Sequence, residues 1–349
     1  MRERSLFIGS LTVLAAAAGF GILGPLARLS YANGLEPFSF VAWRGGFGTL
    51  VVVAYVAWRR SSGRSIVAPW RLPRPQAMAL SLAAFVALVL NIAMFVAFQR
   101  TTVALALLAF YTYPAMVAVV AAVRGHEHLD RPRLAALALA LAGMVLVVVG
   151  ELNPTGELRV DLVGIGLALL AALSQTVFVT ISRGSYRAVP TEQAMGWIIG
   201  PTVLVCGFLA IATGAGDALA VPLRSPQALG LTAIAGILAA GIPSILFLAG
   251  IRTIGGTRTG ILMLFEPVVG VILAAILLNE RIAPIQILGG VAILGAALLL
   301  QRSGGPVVEA VQGIAEDPDV IEDDEPNGDD PDAEPQIRRP ALAEMRERS

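Results

Sequence analysis

Phe265-Glu266-Pro267-Val268-Val269-Gly270-Val271-Ile272-Leu273-Ala274-Ala275-Ile276-Leu277-Leu278-Asn279-Glu280-Arg281 places one carboxylate and one proline inside an apolar run. The run ends on an acid and an arginine. With the residues back to 257 it is long enough to cross about 30 Å of hydrocarbon, which takes roughly 20 apolar residues as helix. Helix is the expected form because lipid cannot satisfy open backbone groups. Stepping back 153 residues leads to Tyr111-Thr112-Tyr113-Pro114, and the two stretches run in register. Pro114 meets Pro267, Ala121-Ala122 meets Ala274-Ala275, Glu127 meets Glu280, and Leu141 meets Leu294. Each half thus has a proline, a glutamate 13 residues later at a helix end, and a final helix rich in small residues.

Working outward, apolar spans fall near 5–27, 36–58, 76–98, 103–123, 132–150, 161–182, 191–213, 227–250, 257–278 and 283–301. The first could pass for a signal peptide, but its apolar stretch is long for one, and it reads as a retained helix. Five spans per repeat is an odd number, so the second repeat enters from the opposite side. Inverted repeats of this kind underlie alternating access around a midplane site. The sequence therefore predicts an all-α integral membrane protein of ten transmembrane helices, built as two inverted five-helix repeats over 5–150 and 161–302. A disordered acidic tail over 303–349 follows, where Glu322-Asp323-Asp324-Glu325 and Asp329-Asp330-Pro331-Asp332 repel one another and offer no core.

Composition agrees. The chain has 349 residues, 56% apolar and 14% charged, against 45–50% and about 25% for soluble domains. The formal net charge of zero hides two objects: residues 1–302 hold 21 arginines against 11 acids, and 303–349 hold 4 against 14. In alternating loops, 15 arginines fall on the side of the N-terminus and 5 on the other. The positive-inside rule then puts both termini in the cytoplasm.

Every basic residue is arginine. Without lysine there is no Walker A motif and no Schiff base, which excludes a P-loop ATPase, a retinal protein and a pyridoxal enzyme. The single Cys206 excludes an internal disulfide and a cysteine metal cluster. His126 and His128 flank Glu127, but with no third histidine no metal site is expected. Gly241-Ile242-Pro243-Ser244 resembles a serine nucleophile turn, yet no histidine lies in a span to serve it. The chain is not expected to be an enzyme, to bind nucleic acid or to carry a cofactor.

The stretch from Phe265 to Arg281, with Tyr111-Thr112-Tyr113-Pro114, Gly125-His126-Glu127 and Trp43-Arg44, resembles the EamA-type transporters of the drug/metabolite transporter superfamily. The resemblance covers about 5–302. It implies ten helices, a plasma-membrane location, and transport of a small metabolite, often export of amino acids or related compounds. The inserted His126 departs from the family's usual Gly-Glu spacing, and the tail has no counterpart.

Only Arg44 and Glu266 read as ionisable groups well inside spans, where each costs at least about 2.5–3.5 kcal/mol. Glu266 lies roughly 15 Å deep at 1.5 Å per residue. Burial disfavours its ionised form, so it is a candidate either for reversible protonation or for binding a substrate amine. A buried structural carboxyl is the plain alternative. Pro267 removes a backbone donor and is expected to break the helix. Arg44 is a candidate for a substrate carboxylate, or alternatively for pairing with Glu266, capping carbonyls or reaching outward. Asn91, Tyr111, Tyr113, Ser174, Gln175, Thr176, Trp197 and Ser244 are further pathway candidates. Pro114, Glu127, Pro267 and Glu280 are read as structural motif residues, the two acids favouring the helix start that follows each. The small residues of spans five and ten suit a homodimer interface as well as packing inside one subunit. The expected activity is a secondary transporter drawing on a proton or other ion gradient; a channel-like facilitator or a membrane sensor or scaffold is the alternative.

Overall fold

A computed structural model describes residues 2–63, 66–68, 71–125, 130–150, 160–279 and 281–302, with side chains from Ser5 onward. His126, Glu127, His128, Glu280 and the tail 303–349 lie outside the described residues.

All regular structure among the described residues is helical. Ten segments are long and apolar enough to cross a membrane. The first span holds α1 (Arg2–Gly21) and α2 (Leu23–Ala32); α3 (Pro37–Ser61) and α4 (Arg74–Arg100) are the second and third. The fourth holds α5 (Val103–Phe110) and α6 (Tyr113–Val123), and the fifth is α7 (Arg131–Val149). The sixth and seventh are α8 (Leu162–Ser182) and α9 (Thr191–Ala212), followed by a short α10 (Gly216–Arg224). The eighth holds α11 (Pro226–Gly236), a wider π turn (Ile237–Gly241) and α12 (Ile242–Ile254). The ninth holds α13 (Gly256–Met263) and α14 (Glu266–Leu278), and the tenth is α15 (Pro284–Arg302).

Local chemistry sets several starts. Asp130 caps α7 by accepting from the Arg133 backbone N–H at 3.3 Å, and Ser225 caps α11 from Ala228 at 3.3 Å. Asp161 caps α8 from Gly164 at 2.9 Å and pairs with Arg100 at 3.1 Å, tying the third span to the sixth. The Gly164 N–H, then Arg100, hold the Asp161 carboxyl below its ordinary value. A depressed carboxyl contributes stability above its unfolded value, about 3.9, and loses it as pH falls through the lower folded value. In a thermal melt followed from neutral pH downward, Asp161→Asn is therefore expected to melt below the wild type at pH 7. The gap closes in acid. A gap constant with pH overturns the assignment. The amide still accepts from Gly164, so the difference reports the charge.

The helix pairing has two-fold symmetry. The second span packs on the seventh (α3 with α9), the fourth on the ninth (α6 with α13) and the fifth on the tenth (α7 with α15). The third packs on the sixth (α4 with α8), mirrored by the first on the eighth (α1 with α12). This is the pattern of two inverted repeats around an axis in the membrane plane. α7 and α15 run antiparallel: Gly150 lies beside Gln286, Gly143 beside Gly289 and Leu139 beside Gly295. A Cβ on Gly143 would sit 2.6 Å from the Gly289 carbonyl oxygen, and one on Gly289 2.5 Å from that of Gly143. The small residues at this crossing bring two backbones of one chain together.

One sequence expectation is corrected at the arginine-rich end. Arg252, between the expected spans 227–250 and 257–278, and Arg258, at the edge of the latter, count among the 15 loop arginines on the N-terminal side, but a single residue, Gly255, joins α12 to α13. Its φ of 84° is left-handed, which glycine adopts without strain. Both arginines therefore sit inside helices, and Arg258 is only 3% exposed. Arg252 donates to the carbonyls of Val189 (2.9 Å) and Tyr186 (3.2 Å) and to the Thr191 hydroxyl (3.1 Å), fastening the turn between the sixth and seventh spans. Tyr186 is buried there, and burial pushes its phenol up to about 12.

Candidate functional site

The fourth and ninth spans break at equivalent places. α5 gives way to α6 at Tyr111-Thr112, and α13 to α14 at Leu264-Phe265, 153 residues later. In each case a proline, Pro114 or Pro267, stands in the first turn of the second piece, where its missing N–H costs nothing. The breaks face a cavity of about 240 Å³.

The wall of this cavity is built in pairs related by the same shift of 153: Gly45 and Ile198, Ala87 and Ala240, Asn91 and Ser244, Phe110 and Met263, Tyr113 and Glu266. Matched positions of two inverted repeats converge on one space, as a site on the pseudo-two-fold axis requires. Chemically the pairs differ. The first repeat contributes Arg44 and Asn91; the second contributes the carboxylate of Glu266.

Arg44 Nη2 donates to Asn91 Oδ1 at 3.0 Å, and its guanidinium lies 5.8 Å from the centre of the Phe95 ring. Asn91 is oriented by its own amide, which donates to the Ala87 carbonyl at 2.8 Å. Arg44 Nε is buried with no hydrogen-bond partner. The Tyr111 hydroxyl donates to the Glu266 carboxylate. Among the described residues Arg44 and Glu266 form no ion pair with each other. Arg44 and Glu266 thus share one cavity while each keeps a neutral partner. A buried ionisable group left without full compensation is costly.

The main chain at both residues packs closely against the other repeat. Gly236 of the second repeat abuts Arg44: a Cβ there would lie 2.5 Å from the Arg44 carbonyl oxygen. Gly21 of the first repeat abuts Glu266, with the corresponding distance 2.7 Å. The π turn follows Gly236 directly, and its last residue, Gly241, packs on Gly48 of α3. The wider turn re-aims α12, which carries Ser244 and Phe247 to the cavity.

Of the sequence-predicted pathway residues, Arg44, Asn91, Tyr113, Gln175, Ser244 and Glu266 line the cavity. Gln175 and Ser244 have no hydrogen-bond partner among the described residues, so their polar atoms are available to a ligand. Tyr111 stands behind the wall, 3% exposed, with its hydroxyl on Glu266. Trp197 is placed elsewhere: it is 45% exposed and lines an outer groove. Ser174 and Thr176 are buried away from the cavity, and the Thr176 hydroxyl donates to the Ala172 carbonyl at 2.8 Å. The sequence reading missed the aromatic wall. Phe247 packs edge-on to Phe20 at 6.3 Å and stacks on Phe178 at 6.2 Å. Extending the 153-residue shift to apolar positions would have found Phe110 and Met263 as well.

Among the described residues no three histidine, cysteine or acidic side chains are grouped to hold a metal ion.

Comparison with known proteins agrees with this architecture. The EamA-like transporter family matches the chain twice, over residues 7–149 and 162–302. No curated protein matches it. A solved structure described only as "Crystal structure of protein" is similar to it, with a TM-score of 0.66 and 20% identity over 86% of this chain and 97% of the other. At that identity the likeness concerns the fold alone.

Proposed function

As the chain belongs to the EamA-like transporter family of the drug/metabolite transporter superfamily, we propose that this membrane transporter moves a small zwitterionic metabolite, an amino acid or related compound, outward across the plasma membrane. It does so by alternating access, with both termini in the cytoplasm. The observation that supports this most is the pair of opposite charges on one cavity wall, Arg44 and Glu266, neither neutralising the other. In this reading Arg44 takes the substrate carboxylate with Asn91 holding its fork, and Phe20, Phe178 and Phe247 cover the apolar part. Glu266 takes the amine or carries the coupling proton, with Tyr111 positioning it. The two repeats, 5–150 and 161–302, rock around the cavity, and the fifth and tenth spans act as struts.

Counterflow in proteoliposomes tests the reading. Neutral amino acids preloaded inside are expected to accelerate entry of labelled substrate severalfold; a channel shows no such trans-stimulation, and its absence sinks the carrier. The same assay with an imposed pH gradient, on wild type and Glu266→Gln, separates the roles of the carboxylate. If Glu266 carries the proton, the variant keeps exchange but no longer responds to the gradient. If it binds the amine, exchange itself is lost. A variant with full pH-dependent transport removes Glu266 from the mechanism.

A further inference from the structure

A second concave feature lies outside the central cavity, on the seam between α3 and α9 at the arginine-rich end. It is a groove of about 770 Å³, with Val52, Val53, Val56 and Trp197 among its walls. From Thr49 at its deep end to Arg60 at its mouth is eleven residues along α3, about 16 Å of helix. That matches the hydrocarbon depth of one leaflet, half of about 30 Å. We propose that this groove holds one anionic phospholipid, with an acyl chain along the valines and Trp197 and the phosphate on the Arg60 guanidinium.

Charge placement favours that occupant. Arg60 is exposed, and its side chain makes no hydrogen bond or ion pair among the described residues, so its donors are open to an anion at headgroup level. Residues 66–68 also line the groove, and Gln193 clasps them by hydrogen bonds in both directions to Val67. Trp197, six residues into α9, has the apolar body and polar tip typical of membrane interfaces.

The opposite end of the same seam supplies an internal contrast. There a groove of about 480 Å³ is walled by Trp43, Phe47, Leu50 and Val203 among others, with no charged side chain in its lining. Its one indole N–H is already taken, donated to the Leu219 carbonyl at 2.8 Å. Two grooves of similar apolar character thus differ in one cation. Selection for an anionic headgroup belongs to the Arg60 end, where basic pockets between helices hold lipid headgroups.

Native mass spectrometry of the full chain, incubated with equal amounts of phosphatidylglycerol and phosphatidylcholine of identical chains, tests this. The wild type is expected to retain phosphatidylglycerol about fivefold over phosphatidylcholine, the scale of one arginine at an anionic surface. Arg60→Gln should abolish that preference with an unchanged melting temperature, and Arg60→Lys should keep most of it. Val53→Trp, which fills the groove and leaves the charge, should lower retention of both lipids. Equal retention of the two lipids by the wild type, or an undiminished preference in Arg60→Gln, overturns the proposal. So does full displacement by glycerol phosphate alone, because the site would then take a soluble anion rather than a lipid.

Discussion

Replacing Arg44 with glutamine is expected to lower the counterflow rate about a hundredfold or more at substrate concentrations below saturation. Truncating one partner of a buried, hydrogen-bonded charge pair costs about 2–5 kcal/mol, and each 1.4 kcal/mol is about tenfold. The loss should fall on substrate binding, because Arg44 is the one arginine among the described residues that line the cavity. Arg44→Lys should recover only part of it. An ammonium keeps the charge but not the planar fork that donates to Asn91 and that the proposed binding mode also places on the substrate carboxylate. Misfolding is a poor explanation for such a loss, since the contact that seats this part of α3 is made by the Arg44 carbonyl against Gly236 and survives any side chain. A glutamine variant with wild-type affinity and rate would show that the guanidinium does not touch substrate.

The largest expected effect on stability lies far from the cavity, where α7 crosses α15. Gly289→Ala puts a methyl group 2.5 Å from the Gly143 carbonyl oxygen and 2.8 Å from the Val147 nitrogen. These are backbone atoms that cannot rotate away, so the two helices must separate. Over-packing of this kind costs about 1–3 kcal/mol, and thermal melting in detergent should fall accordingly. Gly143→Ala meets the reverse contact, 2.6 Å from the Gly289 oxygen. The double variant should cost less than the sum, because one separation relieves both clashes. Gly166→Ala in α8 is the control. A Cβ there meets nothing within 4 Å, so that change should be neutral or stabilise by about 0.4–1 kcal/mol. Equal melting of Gly289→Ala and the wild type would mean that the two helices can part at this crossing without cost.

The fold was legible because lipid leaves a chain few options. Apolar runs of the right length, a repeat in register and the arginine asymmetry together specify ten spans and an inverted pair. The helix break at Leu264-Phe265 was legible from Pro267, which cannot donate to the ladder; its counterpart at Tyr111-Thr112 was not read from Pro114. The cavity wall was legible only where it is polar. In a membrane both the lipid-facing and the protein-facing sides of a helix are apolar, so hydropathy does not say which way Phe110, Met263 or Phe247 points. Picking polar and aromatic residues therefore found Arg44, Asn91, Ser244 and Glu266, but also Trp197, whose indole suits the membrane surface. The connection at Arg252 and Arg258 was misjudged for a different reason: a reversal of chain direction normally takes several residues, and here one glycine in a left-handed conformation suffices.

That one-residue joint at Gly255 sets a mechanical limit. Two peptide steps separate Ile254 from Gly256, and fully stretched they reach about 7 Å. The adjoining ends of α12 and α13 can tilt about this joint but cannot slide apart along the membrane normal. The eighth and ninth spans behave as the two arms of a hinge with no slack. Ser244 lies ten residues along one arm, whereas Glu266 lies past the second break at Leu264-Phe265, so the ninth span can bend once more before it reaches the cavity.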